Sequence, residues 1–225
     1  MSSNQALRNN SIVVISPQYC APYQVDLHFA KKVEKITKGR HLGVFDINGN
    51  NIFKVKSKFF SNRLVLVNAA RVPMVVVSLK PMRFTLHNRW KVYRGNSSNS
   101  KNLLFTVKRS KFLQFKTRLD VFLSSNKAED VCDFKIKQTY SQKSRFIYRG
   151  NSNNHLIAEM HKNKIVQVHG KDQYSATVYP NVDYAFVIAL FVVLDETNAP
   201  STSGDVDFTS SGGGGCGGGC GGCGG

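Results

Sequence analysis

The chain has 225 residues, 41% hydrophobic and 20% charged, and 31 Lys+Arg against 14 Asp+Glu give a formal charge of +17. That length and apolar content fill the core of one large domain and exclude a collagen, a coiled coil and a wholly disordered chain. No apolar run reaches the roughly 18–20 residues of a membrane-spanning helix.

The first ten residues are polar, without the basic–apolar–small order of a secretory signal, and Ser2 removes the glycine needed for N-myristoylation. The expectation is a soluble, cytoplasmic protein with a flexible N-terminus over 1–10. Charge is gathered in one stretch: residues 31–118 hold 21 Lys+Arg against Glu34 and Asp46, a balance of +19, and no carboxylate separates Asp46 from Asp120. Residues 119–225 carry −2. A surface that normally mixes both signs would here project a positive field, which fits an anionic membrane or a nucleic acid, or a basic protein with no polyanion partner at all.

The first element read along the chain is a hairpin. Val44-Phe45-Asp46-Ile47 leads through Asn48-Gly49-Asn50-Asn51 into Ile52-Phe53-Lys54-Val55, with Asn-Gly supplying the turn. Strand alternation sets Phe53 and Val55 on one face and Lys54, Lys56 and Lys58 on the other. Arg89, Lys91 and Tyr93 alternate in the same way against Trp90 and Val92, and Lys135 and Lys137 against Phe134 and Ile136.

The hairpin recurs. Val65-Leu66-Val67 turns into Met74-Val75-Val76-Val77, Tyr93-Arg94-Gly95-Asn96-Ser97 leads into Leu103–Val107, and the same five residues recur 55 positions later as Tyr148–Ser152 before Leu156–Met160. Four related hairpins in two halves predict a pseudo-symmetric antiparallel sheet.

Tyr184 to Leu194 is an eleven-residue apolar run between Asp183 and Asp195-Glu196. It reads as a helix over about 182–195, with Asn181 as N-cap and Asp183 in the first turn; a central strand is the competing reading, and length favours the helix. A helix apolar on every face must be enclosed on every face, and in a chain of strands the enclosure is a closed barrel.

Chemistry-bearing motifs are sparse. There is no nucleophile elbow, phosphate-binding loop or dinucleotide fingerprint, and the six histidines have neither helical pairing nor zinc spacing with Cys20 and Cys132, which read as buried reduced thiols. Glu129-Asp130 reads as a solvated loop. No enzyme, metal site or cofactor is expected.

Residues 198–225 form a Gly/Ser/Cys-rich tail, read as disordered, in which Cys216, Cys220 and Cys223 interrupt glycine. Their spacing coincides with an iron–sulfur triad but lacks a barrel to enclose the cluster, and three thiols leave zinc one ligand short. Reversible acylation of the three thiols, or incidental cysteines in a solvated coil, are the remaining readings.

The order Phe45-Asp46-Ile47-Asn48-Gly49, Ile52-Phe53-Lys54-Val55, Arg89–Gly95, and Gly170–Tyr174 through Val178-Tyr179-Pro180-Asn181 to Leu194-Asp195-Glu196 resembles the plant LURP-one-related family over roughly residues 11–197. That family is similar in fold to the tubby C-terminal domain and the phospholipid scramblases. The resemblance implies a mainly β domain over 11–197, a twelve-stranded antiparallel barrel around one hydrophobic C-terminal helix. It also implies a link with plant defence, and for the tubby relatives phosphoinositide binding and membrane-tethered transcription regulation. No catalytic residue carries over, and without a spanning segment scramblase activity is not expected.

One departure is Asn68-Ala69-Ala70-Arg71, where the family has Asp and Gly and Arg71 takes positive φ only at a cost. The functional expectation is a monomeric, non-enzymatic barrel docking on anionic, phosphoinositide-containing membrane through Lys54, Lys56, Lys58, Arg89 and Lys91. Cys216, Cys220 and Cys223 would be acylation sites, and the protein would be peripheral at the plasma membrane. The alternatives are a nucleic-acid-associated regulator, with a nuclear location, or a protein-interaction module of defence signalling.

Overall fold

The computed structural model describes residues 11–33, 40–57, 63–80, 89–110, 118–139, 143–163 and 173–197. The reading of 1–10 and 198–225 as flexible termini therefore lies outside the described residues, as do Lys58 and the three tail cysteines.

Twelve strands follow one another in sequence and in space: β1 (Val25–Val33), β2 (Arg40–Phe45), β3 (Asn51–Ser57), β4 (Arg63–Asn68), β5 (Pro73–Lys80), β6 (Arg89–Arg94), β7 (Leu103–Arg109), β8 (Arg118–Leu123), β9 (Phe134–Gln138), β10 (Ser144–Arg149), β11 (Leu156–Asn163) and β12 (Gln173–Val178). Each pairs antiparallel with its neighbour, and β12 closes on β1 with Val178 opposite Val25, which leaves no free edge.

The helix α1 (Tyr184–Thr197) runs through the barrel, and Ala185 to Leu194 are each at most 2% exposed. Its rings lock into the wall. Phe191 stacks on Phe29 at 4.1 Å, Phe186 meets Phe105 and Phe134 at 5.2 and 4.9 Å, and Tyr184 meets Tyr19 at 5.2 Å. Aromatic pairs at these separations add to what their burial contributes. The enclosure expected from an all-round apolar segment is what the fold contains.

The four related hairpins are β2–β3, β4–β5, β6–β7 and β10–β11. Each has a register shift just before its turn, at Val44/Phe45, Leu66/Val67, Val92/Tyr93 and Ile147/Tyr148. The repeated pentapeptides place Gly95 and Gly150 at the same φ, 69°. At the departing turn Arg71 stands at φ 62°, the left-handed conformation glycine takes elsewhere. It is held there because Asn68 accepts from Arg71 N at its carbonyl, 2.9 Å, and from Val72 N at Oδ1, 2.9 Å.

The start of α1 differs from the expectation. Asp183, not Asn181, caps it: Oδ1 accepts from Phe186 N at 3.1 Å, and Asn181 sits outside the helix at φ 63°. The other carboxylate oxygen accepts from Val14, Ile15 and Ser16 N at 3.2, 2.6 and 3.0 Å. Residues 12–20 are thereby drawn across this end of the barrel, with Ile12 bridged to Val182 and Cys20 to Asp183. One carboxylate caps the helix and fastens the N-terminal segment over it.

Candidate functional site

Alternation puts Leu27, Phe53, Val92 and Ile147 inside and Lys54, Lys56, Arg89 and Lys91 on the outer wall. Lys54 and Lys56 on β3 are exposed on that wall, as the alternation of the first hairpin predicts. Arg89 and Lys91 on β6 share the outer face but are half-buried.

The register decides which of these cations are neighbours. Lys56 stands opposite Val65, which stands opposite Val76 and then Tyr93. Lys91 stands opposite Ser78, which stands opposite Arg63. Arg89 lies between Lys80 and Lys108. Three strand spacings of about 4.8 Å thus separate the β3 lysines from the β6 pair, and Val65, Val67 and Val76 form a small apolar cluster between them. The two basic rows are distinct patches.

Glu129 changes one of them. The β8–β9 connection folds back over the wall, with Glu129 at φ 55° and its N–H donated to Asn126 Oδ1, and the carboxylate pairs with both Arg89 and Lys108. The loop read as solvated is therefore an ionic tie for Glu129, a contact 40 residues distant from Arg89 that only the register reveals. Lys135 also departs from the solvent face expected of it. It is 2% exposed, donates to Asn151 O and lies 5.9 Å from the Tyr148 ring centroid. Burial, then the neighbouring Lys137 and Arg118, pulls its ammonium pKa down.

Cys132 is buried and Cys20 half-buried, both unpaired to sulfur. Burial, then the charge of Asp183, pushes the Cys20 thiol up to about 11, and burial raises Cys132 as well, so neither is a ready nucleophile.

Sequence reasoning missed a polar chain on the β10–β11 exterior. Ser144 Oγ lies 2.9 Å from His161 Nδ1, His161 Nε2 lies 3.3 Å from Glu159 Oε2, and Tyr179 OH donates to Glu159 Oε1 at 2.7 Å. His161 and Glu159 are two residues apart on one strand face, so alternation alone aligns them. The chain fastens adjacent elements on an open wall. Among the described residues no group of three or more His, Cys, Asp or Glu is placed to hold a metal, and no helix is long and apolar enough to cross a membrane. A cavity of about 270 Å³ lies beside the β2–β3 turn, lined by residues including His28, Phe45, Ile47 and Tyr174.

Comparison with known proteins agrees with this architecture. The LURP-one-related family model matches residues 25–195. Protein LURP-one-related 15 of Arabidopsis thaliana is 45% identical over 190 residues, covering 83% of this chain and 86% of that protein. Protein LURP-one-related 10 of the same plant is 41% identical over 83% of this chain and 97% of its own length. A protein of Arabidopsis thaliana solved by X-ray crystallography superposes with a TM-score of 0.63 at 40% identity, covering 83% of this chain and 99% of its own. With the closed barrel and its enclosed helix, these matches place the chain in the LURP-one-related family.

Proposed function

We propose that this protein is a non-enzymatic barrel that docks reversibly on anionic, phosphoinositide-containing membrane at the cytoplasmic face, as a component of plant defence-related signalling. The observation that carries the reading is an outer wall with exposed cations, Lys54, Lys56 and Arg63 on adjacent strands β3 and β4, that make no ion pair among the described residues. Near an anionic surface each such cation contributes about 1 kcal/mol, so about four or five give weak, reversible attachment. Lys91 and Arg89 belong to the same wall, with Arg89 moderated by Glu129. Lys58 and acylation of Cys216, Cys220 and Cys223 are further anchors in the same proposal. A single acyl chain holds a protein only marginally, and a chain joined to a basic face holds it stably.

Single-stranded nucleic acid fits less well, because its readers offer aromatic faces for stacking. Trp90 points inward at 2% exposure and Tyr93 is 6% exposed on the wall, so neither ring is offered.

The test is co-sedimentation of the full chain with liposomes containing or lacking phosphatidylinositol bisphosphate, at low and near-physiological salt. Binding to the anionic liposomes alone, weakened by salt, is the expected result. Salt-independent binding sinks the electrostatic account. Absent liposome binding with a steep salt slope on duplex DNA replaces it with the nucleic-acid reading. Silence in both leaves a protein-interaction module.

A further inference from the structure

Arg89 and Lys108 stand directly opposite each other on β6 and β7, and like charges so placed repel. Both reach one oxygen, Oε2 of Glu129, which comes from a loop rather than from either strand. The pairing is incomplete. Arg89 offers only Nη2 to Glu129, while its Nε is buried with no hydrogen-bond partner. Lys108 lies 4.9 Å from the centroid of the Phe122 ring, which is 6% exposed and backs the site from β8. The other carboxylates nearby do not fill the gap. Asp120, opposite Lys108 in register, pairs with Arg118 Nε at 3.0 Å, and Asp130, next to Glu129 on the loop, is exposed.

The loop that carries Glu129 is tied firmly at its base. Asn126 Nδ2 donates to Val131 O at 2.8 Å and to Asp133 Oδ2 at 3.0 Å, and the same Asp133 oxygen accepts from Leu123 N at 2.8 Å. Beyond that neck Lys127, Ala128, Asp130 and Val131 are exposed. Glu129 alone is held against the wall, at φ 55°, a left-handed conformation that a glutamate takes at a cost. Half-exposed ion pairs hold weakly, so the tip is latched by an anion that another anion can replace.

We infer that Arg89 and Lys108 form a phosphomonoester site, which Glu129 fills from within the chain until a phosphate displaces it. A carboxylate brings one negative charge and leaves Arg89 Nε unused. A phosphomonoester brings up to two charges and three terminal oxygens, enough to take Nε and Nη2 of Arg89 as a fork and Lys108 Nζ as well. A phosphodiester, with one charge and two terminal oxygens, competes with Glu129 less well. This rests on the membrane reading above for where the group is met, on a phosphoinositide headgroup. A soluble inositol phosphate carries the same chemistry, and two probes separate them.

The full chain is titrated at near-physiological salt with inositol trisphosphate in solution. In parallel it is titrated with phosphatidylcholine vesicles carrying phosphatidylinositol bisphosphate, and with phosphatidylserine vesicles of equal surface charge as the phosphodiester reference. Glu129→Gln is expected to raise affinity for inositol trisphosphate about threefold or more, and Arg89→Gln or Lys108→Gln to lower it about tenfold. Lys101→Gln, an equal loss of charge on the β6–β7 connection, should leave it within about twofold. Failure of the Glu129→Gln variant to bind the trisphosphate, or equal losses in all three cation variants, overturns the site, and vesicle binding that persists then belongs to the β3 lysines. Equal binding to both kinds of anionic vesicle overturns the preference for a phosphomonoester. The expected variant pattern with the trisphosphate, but no vesicle binding, keeps the site and overturns the membrane reading.

Amide exchange reads the latch in the wild-type chain, where no substitution disturbs folding. Inositol trisphosphate should speed exchange at 127–131, as Glu129→Gln does by itself. Slowing at those residues means that ligand and Glu129 are held together, and overturns the displacement.

Discussion

Asp183 and Arg145, buried toward opposite ends of this barrel, are treated in opposite ways. Asp183, fully buried, has both carboxylate oxygens occupied by four backbone N–H donors from residues 14–16 and 186. Arg145, 6% exposed near the other end, keeps an Nε with no hydrogen-bond partner, and burial lowers its pKa despite Tyr174 and Asp195 nearby. Desolvation is unfavourable for both ions, but only Asp183 has every charged atom hydrogen-bonded. The first end is built for closure, with one carboxylate joining the helix start to the N-terminal segment.

The largest expected effect tests that asymmetry directly. Asp183→Ala strands four N–H groups and frees the N-terminal segment, so urea unfolding should show a loss of about 3–5 kcal/mol. A loss under about 1 kcal/mol would mean that the segment holds itself. The pH response of the same residue has a definite sign. Burial, outweighing the N–H donors, raises the Asp183 carboxyl above its ordinary 3.8. Between that value and the raised one the folded state keeps a proton that the unfolded state releases, so this group's contribution to stability rises as pH falls through the window. The stability gap between wild type and Asp183→Asn should therefore widen from pH 7 to pH 4, and a narrowing gap would reverse the assignment.

Arg145→Met should change stability by no more than about 1 kcal/mol in either direction, since an incompletely satisfied buried ion is often replaced without loss. A loss of 3 kcal/mol would erase the contrast between the ends. Glu129→Gln releases Arg89 and Lys108 from a half-exposed pairing, so it should lose less than about 1 kcal/mol and strengthen salt-sensitive vesicle binding. Unchanged binding would place Arg89 outside the docking surface. The smallest effect is at the departing turn. Arg71→Gly relieves a left-handed residue and should raise stability by about 0.5–1 kcal/mol, less what glycine adds to the unfolded chain's entropy. In thermal unfolding that is a gain of a few degrees at most.

The fold was legible where the chain punctuates itself. Asn48-Gly49 and the paired Tyr-Arg-Gly-Asn-Ser turns mark hairpins because tight turns tolerate few residues, and the uniform Tyr184–Leu194 run has one physical solution in a chain of strands. The terminal strands of the circle were harder. β1 and β12 pair across 142 intervening residues or more, so no local turn announces them, and β8 alternates correctly but is joined to β7 by a longer connection. The cap moved from Asn181 to Asp183 because Asp183 also serves Val14, Ile15 and Ser16, partners nearly 170 positions away. Basic strand faces were visible through their alternation. Which faces adjoin and that Glu129 reaches Arg89 depend on pairing, which a linear chain does not display.

The enclosed helix also sets an order on biosynthesis. Every strand of the wall is translated before the element it wraps, so the inner faces of β1 to β12 have nothing to bury against until residue 194 has been made. Val25 must meanwhile wait for Val178 to close the circle. The nascent chain is thus a set of hairpins with exposed apolar faces, and its folding is slow and dominated by contacts distant in sequence. A ribosome that stopped before α1 would release a wall with no centre, which makes the last apolar segment a checkpoint on whether the polypeptide is complete enough to fold.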